Sequence, residues 1–132
     1  MDSYTVPTLI IDSDPSWQTL LQQGLTTQKG TYTYQTVLAG SLAEARSILT
    51  RMAPRFVIIS LEQAGDGALD FIRQVRDAPA THRSVIVCVT TRRAPREKVA
   101  AFQAGADHYY VKPINPNTFI MSFPLLARLR ER

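Results

Sequence analysis

Residues 104–113 read Ala-Gly-Ala-Asp-His-Tyr-Tyr-Val-Lys-Pro. Gly105 closes a helical pattern that Pro95 opens and that runs through Val99 and Phe102. Tyr109 to Val111 then read as a short strand cut off by Lys112–Pro113. The same plan repeats upstream. Val85 to Val89 is a strand ending in Thr90–Thr91, Phe56 to Ile59 ends in Ser60, and Leu9-Ile10-Ile11, after a turn-like Pro7, ends in Asp12. Tyr34 to Leu38 supplies the second strand in chain order. Strands that alternate with helical patterns are the signature of a parallel α/β sheet. An acid, a hydroxyl and a lysine gathered at the C-terminal edge of such a sheet suggest a site that handles a phosphoryl group.

The intervening helices carry their own signals. Asp14 can cap a helix whose first position is Pro15, and Trp17, Leu20 and Leu21 keep helical spacing until Gly24 stops it. Ser41 with Glu44 reads as a capping box, and Leu42, Ala45, Ile48 and Leu49 fall on one face before Pro54. After a Gly65-Asp66-Gly67 loop, Leu69, Ile72 and Val75 give a third helix. The last helix starts at Asn115–Pro116 and runs towards Arg130, with Pro124 expected to kink or divide it. Five strands and five helices in alternation predict one domain over residues 1–132.

Composition narrows the function classes. No apolar run approaches the roughly 20 residues of a membrane helix, and the N-terminus has no basic n-region of a secretory signal. A cytoplasmic protein without membrane association is expected. The lone Cys88 sits in an apolar run and reads as a small buried hydrophobe. The net charge is +4, with arginines grouped at Arg92, Arg93 and Arg96 and at Arg128, Arg130 and Arg132. No base-reading motif accompanies them, so solvated helix ends and a tail are expected, not a nucleic-acid surface. His82 and His108 have no partners at metal-ligand spacing.

Three segments together resemble the receiver domain of bacterial two-component response regulators. They are Leu9-Ile10-Ile11-Asp12-Ser13-Asp14-Pro15, Val85-Ile86-Val87-Cys88-Val89-Thr90-Thr91 and the opening stretch from Ala104 to Pro113. The resemblance covers about Thr8 to Arg130. It implies a flavodoxin-like (βα)5 fold, with sheet order 2-1-3-4-5 and helices on both faces. In this family a strand-end aspartate takes the phosphoryl group and Mg²⁺ neutralises the developing charge. By position, Asp12 then matches the first metal-binding acid, Thr90 the switch hydroxyl, Tyr109 the switch aromatic and Lys112 the phosphate-pairing lysine. The lysine-proline peptide of this family is normally cis.

The match breaks where the chemistry is most demanding. Ser60 stands at the phosphoacceptor position and Ser13 where a second acid is usual. The following loop, Leu61 to Gly67, is one residue short and lacks the usual proline. Glu62 and Asp66 are displaced acids, and a nucleophile must sit within about 3–3.5 Å of the reacting phosphorus. An unactivated serine with no general base nearby cannot replace the aspartate, and a lone Asp12 should hold Mg²⁺ weakly. The expectation is a pseudo-receiver: no enzyme, no cofactor, and a Lys112–Asp12 ion pair tied to Ser60 and Thr90.

A protein-interaction module follows from that reading. The fourth helix, fifth strand and last helix form the family's partner or dimer face, which here involves Arg96, Lys98, Phe102 and Tyr110. A protein partner in a signalling pathway, a homodimer through this face, or an output domain beyond Arg132 would use it. Two alternatives compete. One is a receiver still modified on Ser60 or on a displaced acid. The other is a flavodoxin-like binder of a small ligand, disfavoured for flavin because Asp12 to Gln18 lacks a phosphate cradle.

Overall fold

The strands bury every second residue on opposite faces of one sheet, and that alternation sets the architecture. The computed structural model describes residues 4–27, 32–64, 67–123 and 125–126. The loop residues Gly65 and Asp66, the expected kink at Pro124 and the arginines at 128, 130 and 132 lie outside them. Strands β1 (Tyr4–Ile11), β2 (Tyr32–Ala39), β3 (Phe56–Ser60), β4 (Val85–Thr90) and β5 (His108–Val111) form a parallel sheet in the order β2-β1-β3-β4-β5. The helices are α1 (Pro15–Thr27), α2 (Leu42–Leu49), α3 (Leu61–Ala64), α4 (Ala68–Asp77), α5 (Pro95–Ala104) and α6 (Pro116–Met121). The expected flavodoxin-like order is the observed one, with the short turn α3 as an added element.

One face of the sheet carries Leu9, Ile11, Val57, Ile59, Ile86 and Cys88 against α2, α4 and α5. The other carries Ile10, Phe56, Ile58, Val85, Val87 and Val89 against α1 and α6. All of β3 and β4 is buried, as strands covered on both faces must be. Each large aliphatic side chain removed from water here contributes about 1.5–3 kcal/mol. Phe56 and Phe123 stack at 4.9 Å between ring centroids, and Phe119 meets Phe123 edge-on at 5.1 Å, so α6 docks through aromatics.

Several boundaries differ from the sequence reading. Pro7 lies inside β1, not in a turn before it. Pairing with β3 begins only at Thr8↔Phe56, so Pro7 occupies the part of β1 paired with β2 alone. Gly24 does not stop α1, which continues to Thr27. A Cβ on Gly24 would fall 2.3 Å from Ile120 Cδ1, so the glycine lets α6 approach α1. The last helix ends at Met121, capped at its start by Asn115, and Leu125 and Leu126 bond back to the Ser122 carbonyl as a further turn.

The capping signals behave as expected. Asp14 Oδ1 accepts from the Ser16 N–H at 3.0 Å, and Ser41 Oγ accepts from the Glu44 N–H at 3.1 Å. Gly105 sits at φ 124°, a conformation that favours glycine, and its carbonyl accepts from Arg76. Arg76 also bonds Asp107 Oδ2 at 2.7 Å, and Asp107 in turn accepts the Ile86 N–H at 2.8 Å. The Gly-Ala-Asp run thus fastens the start of β5 to β4 and α4.

Candidate functional site

Sheet register decides which side chains meet at the C-terminal edge. Ile11 pairs with Ile59, so the next residues, Asp12 and Ser60, stand side by side. Ser60 pairs with Val89 and Thr90 with Val111, which brings Thr90 and Lys112 to the same rim. Asp12, Ser60 and Thr90 are each no more than 1% exposed. A buried carboxylate needs partners. Asp12 Oδ1 accepts the Asp14 N–H at 2.8 Å, and Oδ2 accepts from Ser60 Oγ at 2.5 Å.

Lys112 faces inward. Its Nζ is 3.6 Å from Asp12 Oδ2 and lies over the Trp17 ring, 4.7 Å from the centroid. An indole face is a favourable seat for an ammonium group. Lys112–Pro113 is cis. The expected Lys112–Asp12 pair is present, and Ser60 is tied to it by donating its hydroxyl to the Asp12 carboxylate. The expectation is corrected at Thr90, which does not join the Asp12–Lys112 pair because its hydroxyl donates elsewhere.

Thr90 is bound instead by Glu62. The short helix α3 turns the Glu62 side chain back across the end of β4. There its Oε2 accepts from Thr90 Oγ at 2.8 Å. The Thr91 N–H donates to both Glu62 carboxylate oxygens, at 2.8 and 2.9 Å. Burial alone would raise the Glu62 carboxyl. The Thr91 N–H, the Thr90 hydroxyl and the Lys112 charge outweigh it and hold the group below its ordinary range. The sequence reading weighed Glu62 only as a displaced nucleophile and missed this role. Its position two residues past a strand end, at the start of a tight turn, was the available signal.

From Glu62 a chain of contacts runs to β5. Arg92 Nε lies 3.7 Å from Glu62 Oε2, and another Arg92 nitrogen is 2.7 Å from Glu97 Oε2. Glu97, on the first turn of α5, accepts from the Tyr109 hydroxyl at 3.0 Å. Burial, the hydrogen bond to Glu97 and the charge of that carboxylate push the Tyr109 phenol up to about 12. Glu97 was not singled out from sequence. The two β5 aromatics divide between the faces: Tyr109 packs beside Phe102 at 6.4 Å, and Tyr110 meets Phe119 edge-on at 5.1 Å. Both are half-buried, so neither is a freely exposed strand aromatic. Tyr110 is turned towards α6 and away from Phe102, with which it was grouped.

The remaining candidates lie on the surface. Ser13 is exposed at the rim of the Asp12 cluster, and Arg96 and Lys98 are exposed on α5. Phe102 is 42% exposed. Outward of Arg92 and Glu97 an open groove of about 440 Å³ passes over Leu61 and Gly67 to Arg73. Cys88 is fully buried, and its surroundings push the thiol up to about 12, as an inert core residue requires.

The family fold implies a Mg²⁺ ion near Asp12. A hard cation of this kind wants several carboxylate or carbonyl oxygens. Here Asp12 meets an N–H, a hydroxyl and an ammonium, while the Glu62 carboxylate is committed to Thr90 and Thr91. Among the described residues no three His, Cys, Asp or Glu side chains gather in a metal-holding group. The residues present do not fit the ion.

Comparison with known proteins agrees with the topology. The protein PetR of Rhodobacter capsulatus is 28% identical over 120 residues, which are 91% of this chain and 48% of that protein. The DNA-binding response regulator MtrA of Mycolicibacterium smegmatis is 28% identical over 132 residues, covering 100% of this chain and 52% of its own. The chain thus spans about half the length of the curated relatives it matches. A CheY-like receiver domain protein from Methanospirillum hungatei has the same fold, with a TM-score of 0.84 over 96% of this chain and 97% of its own, at 17% identity. Residues 8–123 match the response regulator receiver domain, and with that span, sheet order and strand-end rim the chain belongs to the receiver-domain family of response regulators.

Proposed function

We propose that this receiver domain signals without aspartyl phosphorylation, as a protein-interaction module of a two-component system in the cytoplasm. The observation that carries the reading is Ser60. A neutral side chain occupies the strand end where a carboxylate would have to attack, and its hydroxyl is spent on Asp12. Lys112 closes on that same carboxylate. Such a site has no nucleophile for an acyl phosphate, binds Mg²⁺ weakly or not at all and performs no catalysis of its own.

The output then comes from the surface of α5, β5 and α6. Arg96, Lys98 and the exposed Phe102 offer a mixed basic and aromatic patch to a protein partner or to a second copy of the chain. Nucleic acid is not the expected ligand of this domain. Any DNA binding, as in the name of the MtrA relative, would belong to a separate output segment.

Intact-protein mass spectrometry after incubation with acetyl phosphate and Mg²⁺ tests the proposal. No adduct is expected. A labile gain of one phosphoryl group would overturn it and point to a displaced acid. The bond from Ser60 to Asp12 favours one second reading, a kinase-modified serine, since a carboxylate there can accept the hydroxyl proton. That modification would be acid-stable. It would also have to reach a residue that is 1% exposed.

A further inference from the structure

We propose that Glu62 is a tethered anion for its own domain: its carboxylate fills a cradle, made by the Thr90 hydroxyl, the Thr91 N–H and the Arg92 cation, that a free tetrahedral oxyanion would otherwise occupy. This deepens the phosphorylation-independent reading and rests on it.

The cradle is specific in its donors. Thr90 Oγ donates to Glu62 Oε2 at 2.8 Å while accepting the Arg92 main-chain N–H at 3.1 Å. The Thr91 N–H spans both carboxylate oxygens. A hydroxyl, a main-chain N–H and the Arg92 guanidinium converge on the carboxylate, with the Lys112 charge acting from the neighbouring Asp12 cluster, and together they suit an anion with several acceptor oxygens. A phosphate or sulfate ion would satisfy the same donors. A carboxylate delivered by the adjoining turn does so at no cost in translational freedom, so it excludes the free ion at ordinary concentrations.

Occupancy also has a structural consequence. Arg92 lies 3.7 Å from the carboxylate that holds Thr90 and 2.7 Å from Glu97, and Glu97 accepts from the Tyr109 hydroxyl at 3.0 Å. The anion therefore holds the end of β4 and the aromatic beside Phe102 in one arrangement. In this domain the ligand that sets the partner face is part of the chain.

The test is a titration of the intact protein with inorganic phosphate and, separately, sodium sulfate, followed by the Thr91 amide in ¹⁵N–¹H spectra. Wild type should show no saturable shift. Glu62→Ala should lose the hydrogen-bonded position of the Thr91 amide and bind phosphate about tenfold or more tightly than wild type. Sulfate should compete at the same amide. Glu62→Gln, which keeps the shape without the charge, covers the case in which the alanine variant fails to fold. It should bind phosphate between the two extremes and move the Tyr109 ring signals.

Saturable phosphate binding at Thr91 in wild type would overturn this inference alone. So would a well-folded Glu62→Ala protein whose Thr91 amide neither moves nor responds to phosphate. A covalent adduct on wild type with acetyl phosphate, read by mass, would overturn both this inference and the reading on which it rests.

Discussion

The Thr90 hydroxyl, at the end of β4, donates at 2.8 Å to Glu62, a residue two positions past the end of β3. This bond divides the rim into two closed clusters. Asp12, Ser60 and Lys112 satisfy one another, while Glu62, Thr90 and Thr91 form a second set. The two carboxylates, Asp12 and Glu62, are thereby each satisfied by their own set of donors.

Thr90→Val should separate the hydroxyl's bonds from its packing. Valine keeps the shape but removes the donor to Glu62 and the acceptor of the Arg92 N–H. Thr90 is fully buried, so the loss should cost about 1–3 kcal/mol. Denaturant unfolding measures it. Thr90→Ser should recover most of the difference, because Oγ returns. A larger cost for serine than for valine would mean that the methyl contact, not the hydroxyl, holds this position.

Ser60→Asp should behave oppositely with and without metal. The new carboxylate would lie against Asp12 Oδ2, where Ser60 Oγ now sits at 2.5 Å. Two buried like charges with one lysine between them are unfavourable, so the melting temperature should fall at neutral pH. Mg²⁺ binds acid pairs of this kind and should restore it by mass action. Wild type should melt at the same temperature with and without Mg²⁺. Metal stabilisation of wild type would contradict the donor inventory around Asp12.

Much of this arrangement was legible in the chain because it follows from strand ends. Asp12, Ser60, Thr90 and Lys112 each terminate an apolar run, and a parallel sheet places those termini on one edge whatever the details. The helix caps at Asp14 and Ser41 are local and were equally readable, whereas the cis Lys112–Pro113 bond was expected from the family resemblance alone. What escaped were contacts set by packing between distant elements. Gly24 looks like a helix stop until Ile120 is placed against it. Glu62 and Glu97 look like ordinary turn and helix acids, because nothing local says that Thr90 and Tyr109 will point at them.

The Tyr109 phenol should titrate near 12, above its ordinary value of 10. Folding then favours the protonated form. The resulting stability is fully present below the unfolded value of 10 and is lost as pH rises through 12. Glu97→Gln removes the anion that receives the hydroxyl, so the phenol should move back towards 10. Ultraviolet titration of wild type, with Tyr109→Phe subtracted, isolates this group from the other tyrosines. An unchanged titration in Glu97→Gln would assign the shift to burial alone.

Lys112→Met should show how far the buried Asp12 charge depends on its ion pair. The carboxylate is 1% exposed and would keep the Ser60 hydroxyl and the Asp14 N–H but lose its only cation within 4 Å among the described residues. Breaking such a pair leaves an uncompensated charge in a low-dielectric site. The measured loss should be about 2–3 kcal/mol, since the lysine is 16% exposed and keeps some contact with water. Asp12→Asn alone should cost less, because it removes the charge that needs compensation. In a double-mutant cycle the combined variant should therefore be more stable than the sum of the single losses predicts. Additive losses would mean that the lysine acts through its contact with Trp17, 4.7 Å away, and that Asp12 is held by its hydrogen bonds alone.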